Sequence, residues 1–180
     1  MVLANVLSSL FGSPLRLGYP KNLGIILLSL GVMTGLASCS PEAELLTGGI
    51  NSQAVDQDPA YSGDGRYLAF SSDRRGHRDI YLFDLDGKNL INLPGLNRND
   101  SSQEQPALSN DGRYLVYVSN QRGRRDIFIY DRDRQTVRLL SANTKGSVAN
   151  PTIKGDGSEI AFASTDRGQW KISVVRNPLQ

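Results

Sequence analysis

PAYSGDGRYLAFSSDRRGHRDIYLFD, residues Pro59 to Asp84, recurs as PALSNDGRYLVYVSNQRGRRDIFIYD from Pro106 to Asp131 and, eroded, as PTIKGDGSEIAFASTDRGQWKISVVR from Pro151 to Arg176. The copies align without a gap over 26 positions, and their opening prolines lie 47 and then 45 residues apart. A repeat of this length is one supersecondary unit that cannot bury its apolar faces alone and stacks on copies of itself, which points to propeller blades. The fold class expected is all-β: a partial β-propeller of three four-stranded blades, an open arc as a monomer, after a helical signal segment.

Each copy carries its own strand signals. Gly63-Asp64-Gly65, Asn110-Asp111-Gly112 and Gly155-Asp156-Gly157 supply the positive-φ chemistry of a tight hairpin turn. The second strand follows with Leu68 and Phe70, Leu115 and Tyr117, or Ile160 and Phe162, and the alternate positions are mostly apolar too. Such a strand suits a sheet packed between two others. A loop with Gly76, Gly123 or Gly168 leads to a third strand, Asp79 to Asp84, Asp126 to Asp131 or Lys171 to Arg176. A fourth run is expected at Asn89 to Leu93 and Thr136 to Leu140, and the third copy has no room for one. The repeats span about 59–100, 106–147 and 151–180, within a domain of 48–180.

Residues 1–38 are a different kind of sequence. Leu23 to Ala37 is an uncharged, largely apolar run preceded by Arg16 and Lys21, the pattern of a secretory signal peptide. Its 15 residues fall short of the roughly 20 that span a bilayer. Leu36-Ala37-Ser38-Cys39 resembles the bacterial lipobox, and Cys39 is the single cysteine, so lipidation at Cys39 is the expected use of it. Residues 39–47 then form a lipidated N-terminus, with Leu45 to Thr47 in the register of an outer strand, since Leu46 precedes Pro59 by the spacing at which Leu93 precedes Pro106.

The whole chain has 20 Lys plus Arg and 18 Asp plus Glu; removing Arg16 and Lys21 with the signal leaves 18 against 18. A neutral exported domain argues against nucleic acid as a partner.

The residues Pro59, Ser62, Asp64, Gly65, Ala69, Phe70, Ser72, Asp73, Arg74, Gly76, Asp79, Ile80, Tyr81 and Asp84 resemble the WD40-like (PD40) repeat of the TolB-like propeller family. The second copy keeps most of the pattern, whereas Lys171 and Arg176 replace both bounding aspartates in the third. The resemblance implies a bacterial envelope protein. Full-length members resemble six-bladed propellers preceded by a small α/β domain, and this chain holds three repeats, so docking to the Tol-Pal proteins does not carry over.

No catalytic residue, cofactor or metal site is expected. His77 is the single histidine, and it reads as a solvent-facing loop residue. Neither a G-x-S-x-G elbow nor an H-E-x-x-H helix is present in the sequence, and Asp84-Leu85-Asp86-Gly87 reads as a polar turn rather than a calcium loop. The arginines stand out. Arg74, Arg75 and Arg78, then Arg122, Arg124 and Arg125, then Arg167 with Trp170 occupy equivalent loops, which would collect on one rim opposite the Asp64, Asp111 and Asp156 turns. This rim is the expected partner-binding face. As surface residues, Arg122, Arg124 and Arg125 should be replaceable by serine with little change in stability.

The function these features suggest is a non-enzymatic lipoprotein that binds an envelope protein, anchored on the periplasmic face of a bacterial membrane. Ser40 favours the outer one. The alternative is a small-ligand, peptide or glycan binder using the propeller opening. Three blades are too few to surround an axis, so both end faces should expose apolar side chains, and a homodimer of six blades would bury them.

Overall fold

The computed structural model describes residues 49–50, 52–166 and 168–180. The signal segment, Cys39, the strand expected at Leu45 to Thr47, and Arg167 lie outside the described residues. Among the described residues, eleven strands form three antiparallel sheets. Blade one is β1 (Asp56–Tyr61), β2 (Tyr67–Ser72), β3 (Asp79–Asp84) and β4 (Asn89–Ile91). Blade two is β5 (Gln103–Leu108), β6 (Tyr114–Ser119), β7 (Asp126–Asp131) and β8 (Thr136–Leu139). Blade three is β9 (Val148–Ile153), β10 (Glu159–Ser164) and β11 (Lys171–Arg176), three strands rather than four.

The hairpin turns form as their chemistry dictates. Gly65, Gly112 and Gly157 have φ of 75°, 65° and 74°, and the Ser62 and Ser109 hydroxyls accept the Tyr67 and Tyr114 N–H groups at 2.9 and 3.0 Å. The β3–β4 and β7–β8 turns are held by a clasp. Asp84 accepts from Arg66 Nη2 at 2.9 Å and from the N–H groups of Asp86 and Gly87. Asp131 does the same with Arg113 Nη2 at 2.9 Å and the N–H groups of Asp133 and Arg134. In blade three both clasp partners are replaced together, by Ser158 and Arg176.

Each blade has a forward face, turned to the next blade, and a back face, turned to the one before. Ala69, Ile80 and Leu82 of the first forward face pack on Leu115, Tyr117 and Tyr130 of the second back face. Val116, Val118 and Ile129 then pack on Val148, Ile160 and Phe162. β2 and β6 are buried along their whole length, because they have a blade or other cover on each side. Each large apolar side chain so buried contributes about 1.5–3 kcal/mol. The seams depend on glycine: a Cβ on Gly112 would strike the Tyr67 ring, and one on Gly157 would lie 2.5 Å from Tyr114 Cδ2.

The inner strands β1, β5 and β9 carry a bulge at the residue before each opening proline. Asp58, Gln105 and Asn150 there have φ of 54°, 54° and 51°, a left-handed conformation disfavoured for residues with a Cβ. The strain is tied to a chain of hydrogen bonds across the blades. Gln105 N–H donates to Asp58 Oδ2 at 3.2 Å, and Asn150 N–H donates to Gln105 Oε1 at 2.9 Å.

The two end faces differ from the expectation that both lie bare. On blade three, Ile172 and Val174 are 73% and 62% exposed. On blade one, Leu68, Phe70 and Phe83 are buried, with Ile50 and Leu85 packed against them. Arg74 completes that cover. Its guanidinium lies 4.4 Å from the Tyr81 ring centroid and 5.2 Å from that of Phe70, and it donates to the Gly49 and Ile50 carbonyls at 3.0 and 2.8 Å.

Candidate partner-binding rim

The β2–β3, β6–β7 and β10–β11 loops emerge on one end of the blades, so the arginines share a rim as the repeat implied. The rim is far from a set of free cations. Arg74 is the clearest departure: it is half-buried, paired with Asp56 Oδ1 at 3.1 Å, and engaged in covering blade one. Arg78 forks onto Asp73 at 3.0 and 3.1 Å, which holds the Asp73 carboxyl below its usual range. Arg75 reaches Asp79 at 3.5 Å, and Arg125 reaches Glu104 at 2.9 Å. Trp170 is exposed.

Two of the acids behind these arginines are buried. Asp126 is 1% exposed and receives Arg122 at 3.4 Å, Arg124 at 3.1 Å and the Ser141 hydroxyl at 2.7 Å. Arg122 and Arg124 therefore neutralise an interior carboxylate, which overturns the expectation that Arg122, Arg124 and Arg125 can be removed together without consequence. In blade one Asp79 has the same place, with His77 Nε2 at 3.2 Å from its Oδ1. Burial pushes the Asp79 carboxyl above its usual range, and the charges of His77 and Arg75 pull it part of the way back. His77 is thus half-buried against Asp79 rather than facing solvent.

The opposite end is not uniformly acidic either. Beside the Asp64, Asp111 and Asp156 turns lie Arg66, Arg113 and Lys154, paired with Asp84, Asp131 and Asp156. Both ends are mosaics of ion pairs, and the two-sided charge distribution expected from the loops alone does not form.

What distinguishes the rim is the pair of clefts where neighbouring blades meet. The cleft between blades one and two, about 370 Å³, is lined by Asp73, Arg78 and Glu104 with His77 and Ser102, two acids beside one arginine. The one between blades two and three, about 350 Å³, is lined by Arg124, Arg125, Lys145, Gly146, Ser147 and Thr165. No acid lines it. Gly146 is required there, since a Cβ would lie 2.5 Å from Thr165 Oγ1. Lys145 forms no ion pair among the described residues, and the repeat alignment could not reveal it, because it lies in the connection between copies. This cleft suits a carboxylate-bearing surface.

A family model described as TolB beta propeller domain (PD40) matches residues 44–178. The chain belongs to that family. The TolB crystal structure from Acinetobacter baumannii matches at TM-score 0.53 and 23% identity, over 66% of this chain and 29% of that one. A TolB-type protein from Agrobacterium tumefaciens matches at TM-score 0.56 and 19% identity, over 70% and 46%. A puromycin hydrolase shares the fold at TM-score 0.53 and 13% identity, over 69% of this chain and 19% of its own. The TolB-type domain thus spans less than half the length of these solved relatives. A search of curated proteins finds no match.

Proposed function

We propose that this TolB-type domain is a non-catalytic binding module of the bacterial envelope, exported by the 1–38 signal and held on the periplasmic face of a membrane by lipid on Cys39. Ser40 favours the outer membrane. The observation that carries the binding role is the cationic cleft of Arg124, Arg125 and Lys145, open on a rim that also presents Trp170. An exposed tryptophan and guanidinium groups on one rim are residue types that anchor protein interfaces, and the expected partner presents acidic residues there.

The test is capture from envelope extract with wild type and with Arg125→Ser plus Lys145→Ser. Neither substitution uncovers a buried acid, so stability should move by no more than about 0.5 kcal/mol. Capture should fall about tenfold and wild-type capture should weaken with salt. Equal capture by both proteins at low salt would remove the cleft from the account. Separately, Cys39→Ala should release the protein from the membrane fraction, and retention at unchanged mass would overturn the anchor.

A further inference from the structure

We propose that His77 is a proton-operated latch on the seam between blades one and two: when protonated it gives Asp79 the cation that Arg124 gives Asp126, and the two blades are held together more firmly. The repeat supplies the comparison. Asp79 and Asp126 occupy one position in their copies, opening β3 and β7, and are 0% and 1% exposed. A buried carboxylate needs charge or hydrogen bonds to offset its lost hydration. Asp126 has permanent ones, from Arg122, Arg124 and the Ser141 hydroxyl. Around Asp79 two of these are changed. His77 stands in the place of Arg124, and Pro94, which has nothing to donate, stands in the place of Ser141. Arg75 remains, 3.5 Å from Asp79 Oδ2, but that oxygen accepts no hydrogen bond among the described residues.

Blade two makes up part of the difference. Gln103, which opens β5 and is fully buried, turns its side-chain nitrogen to Asp79 Oδ1 at 3.2 Å, while its side-chain oxygen accepts from the Ser101 hydroxyl at 2.8 Å. Its backbone N–H donates to Arg78 O at 2.8 Å. At the second seam Val148 stands in the place of Gln103 and offers no side-chain donor. The Asp79 carboxylate is therefore shared between two blades, whereas the partners of Asp126 all come from its own. His77 Nε2 lies 3.2 Å from the same Asp79 Oδ1, and His77 also lines the cleft between blades one and two, which gives a proton its route from solvent.

Histidine is the side chain whose ordinary charge change falls between pH 5 and 8. The titratable and charged groups packed around the pair are of other kinds: Asp73, Arg75 and Arg78 on the same loop, Tyr81 on β3, Glu104 on β5, and Arg98 with Asp100 in the connection before β5. The Asp79 charge favours proton uptake at His77, so the stability this adds is present at acid pH and is lost as pH rises. Burial also favours a proton on Asp79 itself, and substitution at 77 separates the two sites.

Amide hydrogen exchange on the full chain tests this at the Gln103 N–H, which crosses the seam to Arg78 O. Its protection in wild type, corrected for the intrinsic pH dependence of exchange, should rise about tenfold as pH falls from about 8 to about 5. His77→Gln should hold protection at the lower level across that range. His77→Arg, the residue blade two carries at 124, should hold it at the higher level, and this variant decides the matter if His77→Gln does not fold. In a proton NMR titration the His77 ring should change charge at a lower pH in Asp79→Asn than in wild type. Protection independent of pH in wild type would overturn the proposal. So would His77→Gln or His77→Arg keeping the wild-type pH dependence, which would assign the proton to Asp79 alone, or a His77 titration indifferent to Asp79→Asn.

Discussion

Removing Arg122 and Arg124 together should destabilise the domain far more than the two single changes suggest. Arg122 and Arg124 are 47% and 39% exposed, and each alone is a surface ion pair, so Arg122→Ser or Arg124→Ser should cost about 0.5 kcal/mol. After either one, the other still faces Asp126. After both, a carboxylate with 1% exposure keeps only the Ser141 hydroxyl. An unpaired buried charge costs about 3–5 kcal/mol, and the remaining hydroxyl places this one near the lower end. At about 3 °C per kcal/mol for a domain of this size, the double variant should melt roughly 9 °C below wild type. Thermal and urea unfolding of the four proteins give a double-mutant cycle, whose coupling should be about 2 kcal/mol. Adding Asp126→Asn should recover most of the loss, because it removes the charge that needed a partner. Two additive effects totalling under about 1 kcal/mol would refute the reasoning and return both arginines to solvent.

Asp79→Asn should raise stability at neutral pH. Burial raises the folded-state pKa of Asp79, so its favourable contribution is complete below the unfolded value of about 3.9 and is lost as pH rises through the folded value; the advantage of asparagine should therefore grow upward from about pH 4 in melting curves. Asp131→Ala should cost about 3 kcal/mol at neutral pH by removing the Arg113 fork and the acceptor of two backbone N–H groups. Burial pushes the Asp131 carboxyl up, but the Arg113 and Arg134 hydrogen bonds more than offset it, so this loss should shrink as pH falls below the usual carboxylate range. Gly112→Ala and Gly123→Ala share a left-handed backbone penalty of about 1 kcal/mol, but only the first meets a ring, so urea midpoints should place Gly112→Ala clearly lower.

Local chemistry made much of the fold legible. The third strands run Asp79–Asp84, Asp126–Asp131 and Lys171–Arg176, where aromatic and branched residues placed them, and the turn glycines take the positive φ that their motif requires. The outer strands stop early, at Ile91 and Leu139; in blade one Leu93 turns inward to join Leu96 in the core of the first seam. The inner ladder was missed although a polar residue precedes the opening proline in every copy. Its role exists only between blades, where one copy's side chain meets the next copy's N–H. Arg74 was misread for the related reason that its loop spacing matches the rim arginines while its guanidinium turns back over Phe70 and Tyr81. The aspartates opening β3 and β7 fall in the expected strands, but their burial shows only in the structure, where the Ser141 hydroxyl beyond β8 donates to Asp126.

The binding role is tested most directly in living cells. A photoreactive amino acid placed at 145 or 170, on the cleft rim, and at 86 or 133, on the opposite end, reports which end meets a partner. The account predicts that 145 and 170 crosslink one envelope protein, that Arg125→Ser weakens the yield, and that 86 and 133 give none. Equal crosslinking from both ends, or crosslinks from 86 and 133 alone, would contradict it.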